Sequence, residues 1–284
     1  IPGMMEILRR LTALSDSFTD SERKKVLADI INKIGSIENM RVIFKTMTDT
    51  NAIAEYLFLL GADSVPAMIK ILAESEDRKM RRFLCNTLSK FAPENMVAFE
   101  EGLKDERWFL VRNLVLILGM TKDARVLKSL RKLAVHPEPK VRKEAVKALE
   151  NIQSPETKGI LTVFLKDADS AVRINALKAV RRYGGDDLFS FINDVVTRQD
   201  FKERPFEEKR ELLDAFGDVG REKAFSFLSA LFKKKTFFNR EENTALRVCA
   251  AYGLGYMGTP DAITLLEKEA KSQKKGMLRD ACIR

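Results

Sequence analysis

The chain has 284 residues, 45% of them hydrophobic and 32% charged, with a formal net charge of +9. That balance describes a folded protein with a well-solvated surface and excludes a disordered or fibrous one. One histidine, His136, rules out metal sites built on several histidines. The three cysteines, Cys85, Cys249 and Cys282, are far apart and without metal-type spacing. This fits a reducing cytoplasm rather than a disulfide scaffold. No apolar run reaches the roughly 20 residues that a membrane-spanning helix needs.

In chain order, the predicted elements are helices in pairs. Residues 4–61 hold two degenerate units, marked by "KVLADIINKIG" from Lys25 and "NAIAEYLFLLG" from Asn51. Both keep apolar residues at helical spacing. Over 62–184 the pattern becomes regular, with second helices marked by Arg81 ("MRRFLCNTLSKFA"), Arg112 ("VRNLVLILGMT"), Arg142 ("VRKEAVKALENIQ") and Arg173 ("VRINALKAVRRYG"). Over 185–258 the units lengthen around Arg210 ("KRELLDAFGDVG") and Arg247 ("LRVCAAYGLGYMG"). The stretch 259–284 ends at "LRDACIR" (Arg279), a unit cut short and the expectation of a fragment of a larger protein. Upstream of these arginines lie first helices such as "SPETKGILTVFLKD" and "TPDAITLLEKEA", opened by a capping Ser or Thr followed by Pro. Period-2 alternation is missing throughout.

Intervals between the arginines run 31, 30, 31, 37, 37 and 32 residues. Self-similarity at this period is the signature of stacked helical hairpins. The chain closely resembles HEAT repeats of the bacterial, HEAT-like kind over nearly its whole length. The resemblance rests on an acidic residue near the end of the first helix, then Val-Arg, then small apolar residues three and six positions on. It implies an all-α, right-handed α–α superhelix of about eight or nine hairpins forming a single domain over 1–284. It also implies that Arg81, Arg112, Arg142, Arg173, Arg210, Arg247 and Arg279 form a structural inter-repeat ladder with acids such as Asp105, Glu138, Asp167 and Asp169. The physical argument agrees: a cation at the edge of a core stripe must be hydrated or paired, and guanidinium stays charged while offering several donors in a plane.

Candidate binding residues are departures from the repeat. The two long intervals place "TRQDFKERPFEEK" and "KKKTFFNREEN" between first and second helices, with Phe201, Arg204, Phe206, Lys234, Lys235, Phe237 and Phe238. Two readings stand: an aromatic and basic contact patch on one edge, or rings packed on their own helix ends. On the second helices, Lys143, Lys147, Lys178 and Arg181 point away from the core, either as a solvated face or as a surface for an acidic protein or nucleic acid. Trp108, in "DERWFLVRN", reads as core. The expected function is a non-catalytic protein-interaction scaffold in the cytoplasm, binding another protein or a neighbouring domain on its concave face or on the loop edge. The alternative is a nucleic-acid binder with a basic concave surface, with glycosylase-like activity further behind. No cofactor or metal is expected. Deoxyhypusine-type hydroxylases of this architecture need several His-Glu motifs that one histidine cannot supply.

Overall fold

The computed structural model describes residues 2–46, 49–235, 240–272 and 276–283. Among them are eighteen α-helices and no strand. In order these are α1 (Pro2–Ser17), α2 (Ser21–Ile34), α3 (Ile37–Thr46), α4 (Thr50–Leu60), α5 (Val65–Glu74), α6 (Arg78–Phe91), α7 (Met96–Gly102), α8 (Trp108–Thr121) and α9 (Leu127–Lys132). They continue as α10 (Pro139–Asn151), α11 (Pro155–Phe164), α12 (Ser170–Arg181), α13 (Asp186–Thr197), α14 (Phe206–Gly220), α15 (Glu222–Lys233), α16 (Arg240–Met257), α17 (Pro260–Ser272) and α18 (Met277–Ile283). The fold is all-α, built from consecutive helical hairpins. The chain falls into two compact units. The first is Ile1–Leu133 with Asn151–Gln153, and the second is Ala134–Glu150 with Ser154–Arg284.

Local chemistry sets the helix starts. Asp49, Asp77 and Asp169 each accept backbone N–H bonds at the head of α4, α6 and α12. Ser154 does the same for α11, with Pro155 in its first turn. Each such cap contributes about 1 kcal/mol.

In the first unit, α1 packs on α2 and α4, and α5 packs on α3, α6, α7 and α8. Leu57, Met68, Leu72, Leu84, Phe99 and Leu114 are fully buried between them. Tyr56 is also closed off, and its hydroxyl donates to the Ile34 carbonyl at 2.9 Å. Burial pushes its phenol up to about 12. Trp108 departs from the core expectation. It stands at the head of α8, 36% exposed, edge-on to Phe109 with ring centroids 6.2 Å apart. The apolar run it opens is core only from Leu110 onward.

In the second unit the hairpins are α11–α12, α13–α14, α15–α16 and α17–α18, and the second helices α12, α14, α16 and α18 follow one another in a layer. Each helix touches only its neighbours, so stability comes from interfaces between adjacent hairpins. The tightest is α14 against α16. A Cβ on Gly217 would lie 1.9 Å from the Gly253 carbonyl oxygen, and one on Gly253 would lie 2.5 Å from that of Leu213. Only glycine permits this backbone-to-backbone approach. One turn on, Gly220 leaves room for the Phe189 ring, which stacks on Phe216 at 5.2 Å.

Candidate interaction surface

Arg142 makes four hydrogen bonds. Its Nε and Nη2 donate to the two carboxylate oxygens of Asp167 at 2.7 and 2.8 Å, and its Nη1 donates to the carbonyls of His136 and Pro137 at 2.7 and 3.0 Å. Asp167 belongs to the next hairpin. Arg173 repeats the geometry one unit later, with Nε and Nη2 on Glu208 at 2.7 and 2.5 Å and Nη1 on the carbonyls of Asp167 and Ala168. Arg247 donates to the Phe232 carbonyl at 2.7 Å and to Glu269 on α17 at 2.8 Å. Each guanidinium thus ties the turn before its own helix, or the helix preceding it, to an acid of the following hairpin. Asp167 and Glu208 are almost wholly buried. Burial alone would raise the Glu208 carboxyl, but Arg173 and Arg204 hold it below its ordinary value.

Other positions differ. Arg81 donates to the carbonyls of Ser75 and Glu76 at 3.0 and 2.7 Å, within its own hairpin. Arg112 is half-buried on α8; Asp105 pairs with Arg107, which holds its carboxyl down at about 2. Glu138 accepts the Lys140 backbone N–H at 3.2 Å, and Asp169 caps α12. In α14 the register is shifted by one. Lys209 is buried and donates to the Lys202 carbonyl at 3.0 Å, while Arg210 lies half-exposed beside it. The small and apolar residues that follow Arg142 and Arg173 at three, four, six and seven positions are matched by Leu212, Leu213, Ala215 and Phe216 after Lys209. Arg279, on α18, makes no hydrogen bond or ion pair with the described residues.

The loop candidates do not form one patch among the described residues. Phe201 is 3% exposed, because its ring fills the core beneath the short 3-10 turn Gln199–Glu203, so it cannot serve as a contact residue. Phe206 is half-buried at the start of α14. Arg204 is spent on Glu208 at 2.5 Å and Asp200 at 3.3 Å. Lys234 and Lys235 are exposed, and Phe237 and Phe238 lie outside the described residues.

The second-helix layer of this unit is more coherent on the face turned away from the first helices. On α10, Lys143 is half-buried and Lys147 exposed, and neither makes an ion pair among the described residues. On α12, Lys178 lies 3.5 Å from Glu211. Arg181 donates to Asp218 at 2.5 Å, approaches Glu211 at 3.8 Å, and reaches across to lie 4.2 Å over the Tyr256 ring on α16. Arg210 lies 4.3 Å over the Tyr252 ring, one turn from Tyr256, with its Nε 3.7 Å from Asp214. Asp214 is 4% exposed, and its Oδ1 has no hydrogen-bond partner. Tyr252, Tyr256 and Asp214 were not among the sequence candidates. Their signal was positional: Asp214 and Tyr252 stand five residues after Lys209 and Arg247, as Lys147 and Lys178 do after Arg142 and Arg173.

Residues 129–204 match the family model for HEAT repeats, the stretch that includes the Arg142 and Arg173 rungs. The family match is to that stretch, about a quarter of the chain. Solved structures similar to it include human deoxyhypusine hydroxylase in complex with glycerol, at 19% identity over 78% of this chain and 94% of that one, with a TM-score of 0.34. The Escherichia coli protein YibA is 15% identical over 99% of this chain and 94% of its own, with a TM-score of 0.48. The complex of CpcE and CpcF of phycocyanin lyase from Nostoc is 17% identical over 87% and 94%, with a TM-score of 0.35. No curated protein matches the chain in sequence.

Asp214 is the electrostatic anomaly of the second-helix layer. Desolvation outweighs the pull of Arg210 and pushes its carboxyl up to about 7. The same burial, with Asp214 nearby, pushes the Cys249 thiol up to about 12. A carboxyl raised in the folded state makes that state bind more protons between its ordinary range and about 7. Stability is therefore expected to fall as pH rises through that window and to level off above it. Asp214→Asn should stabilise the protein by about 2 kcal/mol at pH 8 and by little near pH 4. Urea unfolding at the two pH values checks this, and an equal effect at both would contradict it. Among the described residues no group of three or more His, Cys, Asp or Glu side chains is arranged to hold a metal ion. No single helix there is long and apolar enough to cross a membrane.

Proposed function

We propose that the protein is a non-catalytic interaction scaffold of the cytoplasm. Its partner, another protein or a neighbouring domain, lies on the α12–α14–α16 face. One observation carries this reading. Tyr256 is 51% exposed with the Arg181 guanidinium 4.2 Å from its ring centroid, and Tyr252 has Arg210 at 4.3 Å one turn earlier. Tyrosine and arginine dominate the energetic centres of protein interfaces, and side chains already stacked lose little freedom on binding. The buried acids Asp167 and Glu208 are saturated by guanidinium and so are poor candidates for general acid–base work. The pairing of Lys178 and Arg181 with Glu211 and Asp218 argues against a stripe for tracking phosphates.

The test begins with cross-linked affinity purification of the full chain. A recovered partner is then purified and its affinity measured directly. Replacing Tyr252 and Tyr256 together by Ala should weaken binding by about tenfold or more while leaving helicity intact. Undiminished binding by that variant would contradict the reading. Loss of binding in a Phe237→Ala, Phe238→Ala variant alone would move the contact to the loop edge.

A further inference from the structure

Resting on that reading, the same face also specifies the chemistry of what it takes. Glu211 and Asp218 are the acids on its rim, and both are committed to Lys178 and Arg181. Lys143 and Lys147 on α10 have no ion-pair partner among the described residues. Arg210 has only a loose 3.7 Å contact to Asp214. Its planar fork is fixed by the Tyr252 ring, its side chain is 38% exposed, and its remaining donors are uncommitted. A guanidinium is planar, and its parallel N–H groups match a carboxylate in spacing.

We propose that this face binds an acidic segment of a protein partner, with a carboxylate of that segment seated in the Arg210 fork above Tyr252. Lys143 and Lys147 extend the same positive strip for neighbouring acidic residues. The buried Asp214 beneath sets the strength of the grip. The groups facing it are Lys178 and Arg181 from α12, Arg210 and Glu211 on its own helix, and Cys249 from α16. Glu211 is already paired with Lys178 and Arg181, and Asp214 is the acid that approaches Arg210, at 3.7 Å. Protonated, it leaves Arg210 uncompensated and the grip tightens. Ionised, it competes with the incoming carboxylate.

Fluorescence anisotropy on the full chain tests this, with a labelled polyglutamate peptide and a labelled single-stranded oligothymidylate as probes. The peptide should bind, and Arg210→Gln should weaken it about tenfold. Arg210→Lys, which keeps the charge but not the fork, should not restore it. Both variants change a half-exposed side chain and are expected to fold. Peptide affinity should rise roughly fivefold from pH 8 to pH 6, and Asp214→Asn should abolish that rise. Equal peptide affinity in Arg210→Gln would overturn the proposal, as would tighter binding of the oligonucleotide that displaces the peptide. Absence of peptide binding, beside a purified partner whose affinity still depends on Tyr252, would overturn the acidic-segment claim and leave the scaffold reading standing.

Discussion

Gly217→Ala and Gly253→Ala are each expected to destabilise the protein by about 3 kcal/mol or more, enough to broaden or abolish cooperative unfolding of the second unit. The reason is geometric. The new methyl group would meet the Gly253 carbonyl at 1.9 Å in the first case and the Leu213 carbonyl at 2.5 Å in the second. Both obstacles are backbone, so no side-chain rotation relieves them, and α14 and α16 must move apart. That separation would strip Leu213, Phe216, Ala250 and Leu254 of the packing that buries them. Gly255→Ala supplies the control on the same helix, since nothing lies within 4 Å of its added Cβ. There the higher helix propensity of alanine should stabilise by up to about 1 kcal/mol. Denaturant midpoints of the three variants decide the matter. A Gly217→Ala protein as stable as the parent would mean that the helices do not approach so closely.

The second large effect is expected at the ladder. Asp167→Ala would leave Arg142 with its guanidinium desolvated and its two strongest bonds gone, costing about 3–5 kcal/mol. Glu208→Gln should cost a similar amount, because Arg173 and Arg204 both lose a charged acceptor. Replacing Arg142 by Met and Asp167 by Leu together should cost clearly less than Asp167→Ala, since no buried charge is then stranded. Additive losses in the double variant would show that the pair is not coupled. The Glu208 rung also has a pH signature. Its folded carboxyl lies below the ordinary value, so its contribution is complete above the unfolded carboxyl range and is lost as pH falls through the folded one. Asp214 acts with the opposite sign at higher pH, so the two titrations separate.

Much of the architecture was legible because a repeat states its own register. Val141-Arg142 and Ala145, Val172-Arg173 and Ala176, and Arg247 with Ala250 share a pattern, and these three arginines make the inter-hairpin bonds to Asp167, Glu208 and Glu269. What eluded the sequence has physical causes. Of the acids expected in the ladder, Asp167 bonds to Arg142 of the preceding hairpin, whereas Asp105, Glu138 and Asp169 serve Arg107, the Lys140 backbone and the head of α12. Lys209 and Arg210 are adjacent cations, and residue identity favoured the arginine while burial favours the lysine. Phe201 looked like a loop aromatic, although a 3-10 turn folds it inward. Gly217 and Gly253 interrupt helical patterns at some cost in propensity, which points to close packing without naming the opposing helix. Asp214, in "ELLDAFG", is a lone acid in an apolar run, and only the stacking of Arg210 on Tyr252 shows it to be part of a surface.

Two arginines of one layer have separate tasks, Arg173 as a tie between hairpins and Arg210 as an outward-facing fork. Parallel urea unfolding of Arg173→Gln and Arg210→Gln tests that division most directly. The ladder variant is predicted to lose about 2–3 kcal/mol, and the face variant to remain within about 0.5 kcal/mol of the parent. Equal losses, or a larger loss at Arg210, would contradict it.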